Sequence, residues 1–115
     1  MTAQVVVDVA GEGDLAASAS GAVAADLGDA FVAARDAVLA AAPGDGVLIR
    51  CTTVDSPALT GAVTSLCRSL AREAAPRGVR VNAILATPDA EIDDLVAFLG
   101  SPASTMCTGA VLEAV

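Results

Sequence analysis

The sequence predicts one α/β domain, residues 1–115, built as an open parallel sheet of three to four strands with flanking helices. Three observations predict it. Short β-branched runs alternate with segments of helical period, and glycine and proline clusters separate the two kinds. The runs have few polar breaks, which suits strands covered on both faces. The order strand, helix, strand, helix, strand, helix, strand is the one that yields parallel strands joined by right-handed crossovers. A chain of 115 residues buries roughly two-thirds of its unfolded surface and is too short for two independent cores.

Val5-Val6-Val7-Asp8-Val9, closed by Ala10-Gly11-Glu12-Gly13, reads as the first strand. The Ala/Ser-rich stretch from Ala16 to Ala25 reads as loop or frayed helix. From about Ala22 to Ala42, Leu27, Phe31, Ala34 and Val38 recur at helical spacing, and Ala30, Ala33, Ala37 and Ala41 offer a smooth second face. Pro43-Gly44-Asp45-Gly46 breaks this helix, and Val47-Leu48-Ile49-Arg50-Cys51 follows as a strand. Ser56-Pro57 reads as an N-cap with proline at the first helical position, where its missing N–H costs nothing. The helix runs to about Ala75 with Leu59, Val63, Leu66 and Leu70 in one stripe, and Pro76-Arg77-Gly78 stops it. Val79 to Leu85 is the third strand. Thr87-Pro88-Asp89 repeats the cap-and-proline signal and is expected to open a short helix to Leu99, ended by Gly100-Ser101-Pro102. Ala110 to Leu112 supplies a brief fourth strand.

Absent residue types restrict the chemistry. The chain has no His, Tyr or Trp, and its six basic residues are all arginine: Arg35, Arg50, Arg68, Arg72, Arg77 and Arg80. Without His there is no Ser-His-Asp or Cys-His relay and no imidazole metal site, and without Tyr or Lys the remaining usual proton donors and Schiff-base amines are gone. A net charge of −8 repels a phosphate backbone, so neither nucleic acid nor an anionic membrane is expected as a partner. Met1-Thr2-Ala3-Gln4 carries no positive region ahead of its apolar segment, and no apolar run approaches the roughly 18 residues of a membrane span. A cytoplasmic protein is expected. Cys51, Cys67 and Cys107 lack CxxC spacing and read as reduced thiols packed inside, with no metal expected. A hydrophobic content of 55% and a mean hydropathy of +0.67 are high for so small a domain and suggest a permanent partner.

The stretch Gly61-Ala62-Val63-Thr64-Ser65-Leu66-Cys67-Arg68-Ser69-Leu70-Ala71-Arg72-Glu73, followed by Ala75-Pro76-Arg77-Gly78-Val79-Arg80-Val81-Asn82-Ala83-Ile84, closely resembles the short-chain dehydrogenase/reductase family. It is similar to the helix after that family's catalytic Tyr and to the strand bearing its Arg-Val-Asn signature. Val96 to Pro102 and Thr108 to Leu112 resemble the C-terminal helix and last strand. Val7-Asp8-Val9-Ala10-Gly11, Leu27 to Arg35 and Leu48 to Thr53 look like earlier segments, in the right order. The resemblance implies a small Rossmann-like fold and spans only the family's second half. The glycine-rich turn that holds the dinucleotide pyrophosphate belongs to the other half, so no cofactor is expected here.

Carried over by position, Asp26 stands where the family has the Asn of its catalytic tetrad, Thr53 where it has Ser, Ser56 where it has Tyr and Thr60 where it has Lys. The family's Tyr donates a proton because Lys and cofactor lower its pKa, and a serine hydroxyl cannot take that role near neutral pH. No catalytic residue is expected. Ala86-Thr87 replaces the Pro-Gly pair that follows the family's Arg-Val-Asn strand, and Thr53 lies three residues before Ser56 where the family has a longer loop. The frame is kept while the site is trimmed.

Smaller motifs have plain readings. Gly11-Glu12-Gly13-Asp14-Leu15-Ala16 fits GxGxxA, a possible phosphate turn, but Asp14 would put a carboxylate near the phosphates, and a glycine-rich strand exit accounts for it. Asp89, Glu91, Asp93 and Asp94 are scattered around one helix and read as solvated charges, not a cation site. Arg68 to Arg80 are expected to pair with Glu73 and other acids on the surface.

In the family this chain resembles, the two long helices form a four-helix contact between subunits. The resemblance therefore implies a non-catalytic, pseudo-reductase subunit that assembles with itself or with a full-length, active family member, with Leu27, Phe31, Ala34, Leu59, Val63 and Leu66 as candidate packing positions. The competing class is a minimal NAD(P)-dependent reductase, or an acyl- or nucleotide-binding protein, that completes its site with a partner. The resemblance also implies that Val5 to Val9 is an open edge, to be twisted away, covered by Gly13 to Ala25, or paired with another chain, a symmetric sheet continued across two copies being one solution.

Overall fold

In the computed structural model, which describes residues 3–11, 15–53 and 56–114, the apolar runs become strands β1 (Gln4–Ala10), β2 (Gly46–Thr52), β3 (Arg80–Ala86) and β4 (Val111–Ala114). They form one sheet in the order β1-β2-β3-β4, every neighbour parallel. The helices between them are α1 (Leu15–Ser20), α2 (Ala22–Ala40), α3 (Pro57–Ala74) and α4 (Asp93–Leu99). The result is the small Rossmann-like α/β sheet that the alternation predicts. Period-two alternation sends Val47, Ile49, Cys51, Val81 and Ala83 under α2 and α3, and Leu48 and Ile84 to the other face, beneath α4.

Several boundaries differ from expectation. Of the two readings for Ala16 to Ala25, loop or frayed helix, the structure takes the helical one: α1 begins at Leu15 and runs to Ser20, alanine being the strongest helix former. Gly21, with φ 86°, separates α1 from α2, a left-handed conformation that glycine adopts without a Cβ clash. Helix α4 starts at Asp93 and not at Thr87. The amide of Ala90 donates to the carbonyl of Thr87 at 3.1 Å, which puts Pro88 at the second position of a β-turn, a place that suits its fixed φ as well as a helix start does. The residues 12–14 of the GxGxxA motif lie outside the described residues.

Two polar devices pin the chain ends of these elements. The Asp45 carboxylate accepts the amides of Ala3 at 3.0 Å and Ala42 at 2.9 Å, and these bonds hold its carboxyl below the usual carboxylate range. The Arg-Val-Asn signature is a clamp. Arg80 Nη1 donates to the Ser104 carbonyl and Oγ, each at 2.8 Å. The buried Asn82 side chain donates to the Cys107 carbonyl at 3.0 Å and accepts the Ala110 amide at 3.1 Å. These bonds tie β3 to the segment that leads into β4. The expected surface pairing of Arg68 to Arg80 with acids is not what forms: among the described residues the ion pairs are Arg35–Asp36 and Arg50–Asp8. Arg80 turns inward because carbonyls at the end of α4 need a donor there.

Candidate functional site

Open parallel sheets bind ligands beyond the carboxyl ends of their strands, and the four tetrad positions gather at that end. Thr53, just past β2, donates from Oγ1 to the Gly11 carbonyl at 3.0 Å. Asp26, on the first turns of α2, reaches the same glycine: a Cβ added at Gly11 would lie 2.5 Å from Asp26 Oδ2. Ser56 precedes α3, and Thr60 sits one turn in, its Oγ1 donating to the Ser56 carbonyl at 3.1 Å. Thr53, Thr60, Leu85, Ala86, Thr87, Glu113 and Ala114 line a cavity of about 150 Å³.

This arrangement has hydroxyls and no relay. Ser56 takes the N-cap position, as the Ser-Pro pair predicts, but its side chain makes no capping bond. Its Oγ is buried and has no hydrogen-bond partner among the described residues. Thr60 spends its hydroxyl on the helix backbone, a common habit of Thr inside helices. Cys51 and Cys67 lie beneath α2 and α3 and are fully buried, which raises both thiols above their ordinary pKa, Cys67 to about 11. Buried protonated thiols are poor nucleophiles. All three cysteines are free, with Cys107 half-buried. No group of three or more potential metal ligands occurs among the described residues, and none of their helices is long and apolar enough to cross a membrane.

The six candidate packing positions divide into two sets. Ala34, Leu59 and Val63 are fully buried against the sheet, so they are corrected from partner face to core. Helical rotation decides this: the i, i+4 stripe of α3 that carries Leu59 and Val63 is the one the sheet covers. Leu27 and Leu66 are half-buried, packed against that core on one side, and Phe31 is exposed. They line a shallow groove between α2 and α3 with Ala24, Gly28, Ala62, Ser65 and Ser69. Phe31 is 40% exposed, and the Arg35 guanidinium lies 5.9 Å from its ring centroid. The sequence reasoning missed the small residues of this groove, although Ala24, Gly28 and Phe31 share one face at i, i+4 and i+7.

With this geometry in view, the chain was compared with known proteins. A family model described as "Short chain dehydrogenase-like protein" matches residues 7–114. No curated protein matches. Among solved structures, BdcA (YjgI) from E. coli superposes with a TM-score of 0.77 at 25% identity, covering 97% of this chain and 60% of its own. A citronellol catabolism dehydrogenase (AtuB) of Pseudomonas aeruginosa PAO1 gives 0.70 at 19% identity, with 96% and 59% coverage. A hydroxysteroid dehydrogenase from Escherichia coli gives 0.64 at 17%, with 96% and 60%. This chain thus spans about 60% of the length of these structures.

Proposed function

Because this chain belongs to the short chain dehydrogenase-like family, we propose that it is a non-catalytic member, a cytoplasmic pseudo-reductase subunit that assembles with itself or with a full-length, active short-chain dehydrogenase/reductase. One observation carries the reading. The position that the resemblance assigns to the proton-donating Tyr holds Ser56, whose hydroxyl is enclosed and unpartnered, in a chain with no Tyr, His or Lys to replace it. A serine hydroxyl shut away from a relay is no substitute for the family's proton-donating Tyr near neutral pH.

The partner contact in this reading is the α2–α3 groove. Leu27, Phe31 and Leu66 present apolar surface there, and Ala24, Gly28 and Ala62 allow a partner helix to approach closely. An apolar patch on two adjacent helices is the kind of surface that buries against another subunit.

Fluorescence titration of the purified chain with NADH and NADPH tests the catalytic half of the reading. The expected result is no saturable binding and no turnover with either. Saturable binding with hydride transfer would replace this reading with a minimal reductase.

A further inference from the structure

We infer that the open side of β1 is a docking edge for a second copy of this chain, forming a two-fold dimer in which β1 pairs antiparallel with its counterpart and α2 packs beside its own. This contact is separate from the α2–α3 groove and goes beyond the reading built on it. β1 ends the sheet order and, among the described residues, pairs with β2 alone.

The direction of its free backbone groups follows from the bonds at its two ends. The Gly46 amide donates to the Ala3 carbonyl at 2.9 Å, and the Ala3 amide donates to Asp45 Oδ1 at 3.0 Å, so both groups of Ala3 face the β2 side. Alternation turns Val5, Val7 and Val9 the same way. Gln4, Val6, Asp8 and Ala10 therefore present their amides and carbonyls to the open side. The Gly11 carbonyl, which accepts from Thr53 on the β2 side, has the parity this requires. Such a row of unpaired groups is a template for another strand.

A second feature lies directly above the edge. Two clefts run end to end along β1 beneath the flank of α2, one lined by Val5, Ala37 and Ala40, the other by Val9 and Ala30 with Asp26 and Asp29 at its far end, and Ala33 is shared between them. From Ala30 to Ala40 this flank is alanine, which lets two helices approach to the short end of the usual interaxial range.

The occupant that fills both layers is this chain itself. A lone peptide strand would complete the sheet and leave the α2 flank open, whereas a second copy brings a strand with a helix above it. The flank extends about 23 Å along the strand and about 28 Å along the helix. Two layers of that length, each about 10 Å deep, cover roughly 500 Å² per partner, about twice what the strand layer alone provides.

A two-fold axis through Val7 satisfies the chemistry on both faces. It sets Val7 beside its counterpart and Val5, 46% exposed in the single chain, beside the counterpart of Val9. All four outward residues of each strand then bond. Asp8 falls opposite the counterpart of Val6 and not opposite another carboxylate, and its charge is already held by Arg50. Because α2 runs back along β1, the axis also makes the two α2 helices antiparallel, with the acidic end of each (Asp26, Asp29) far from that of the other.

Sedimentation equilibrium on the whole chain tests this, with the expected mass twice the 11.2 kDa of one chain. Val6→Pro removes an outward amide, a place where an edge strand tolerates proline. Ala33→Arg puts bulk on an exposed α2 position. Both variants, made together with Phe31→Glu to remove any groove contact, are expected at monomer mass with unchanged circular dichroism. Ala33→Arg carries the test should Val6→Pro not fold. Hydrogen exchange is expected to show protected Val6 and Asp8 amides in the native dimer and loss of that protection in Ala33→Arg. Phe31→Glu is expected to leave the dimer intact, so failure of this contact and failure of the α2–α3 groove reading are told apart. A wild-type monomer, or a dimer that survives Ala33→Arg combined with Phe31→Glu, overturns the inference.

Discussion

The two faces of the sheet are built to different standards. One carries two long helices over Val7, Val9, Val47, Ile49, Cys51, Val81 and Ala83. The other is covered by the seven residues of α4 over Leu48 and Ile84, with Val6, Leu112 and Ala114 only partly enclosed. Toward the open edge that second face is finished by the exposed Asp8–Arg50 pair instead of apolar cover. The difference teaches where this domain keeps its stability. The interior of the α2–α3 face is close-packed, so lost volume there is felt in full. The α4 face rests on a helix short enough to move.

The largest effect expected on this comparison comes from matched truncations. Leu59→Ala, beneath α3, should cost about 3–5 kcal/mol, because neighbours from two long helices and the sheet cannot collapse into the void. Leu99→Ala, at the end of α4, should cost nearer to about 2 kcal/mol, with α4 relaxing onto the sheet. Urea unfolding of both variants measures the difference. Equal losses would mean that α4 is as rigidly held as α3.

A second, smaller effect concerns pH and again separates the faces. The Cys67 thiol, under α3, is pushed up by burial to about 11 from an ordinary 9.0. A thiol whose folded pKa is raised favours the fold below the unfolded value, and that contribution is lost as pH rises from about 9 through about 11. The loss is bounded at about 2–3 kcal/mol. Thermal melts between these pH values should fall in the native chain and fall less in Cys67→Ala. Near neutral pH, a thiol reagent should modify the half-buried Cys107 well before Cys51 or Cys67.

The smallest effect belongs to the ion pair. Asp8→Asn should change stability by less than about 1 kcal/mol, and less still in high salt, because both partners are partly in water. A salt-independent loss of several kcal/mol would show that this pair carries the α4 face after all.

Much of the fold was legible in the residues. The three long apolar runs and the stripe of α3 announce their period, and Pro57, Gly46 and Gly78 mark real boundaries. Less of the site was legible. The exchange of the tetrad residues could be read by position, yet the enclosure of Ser56 could not, since it depends on what the turns around it bury. Thr87-Pro88-Asp89 misled because proline suits a turn and a helix start equally. Leu59 and Val63 misled because an apolar stripe states only that something covers it.

By itself, the sequence determined the order of strands and helices, the parallel sense of the sheet, the family, and the absence of His, Tyr and Lys, because each depends on local period, crossover handedness or residue type. Only the tertiary structure decided which apolar positions face the sheet and which face outward, that the Arg80 and Asn82 side chains clamp the last strand, and which four residues of β1 turn their backbone groups away from β2. These are choices among partners distant in the chain. A helix apolar on two sides, as α2 is, can be rotated onto either until the sheet it packs against takes one of them.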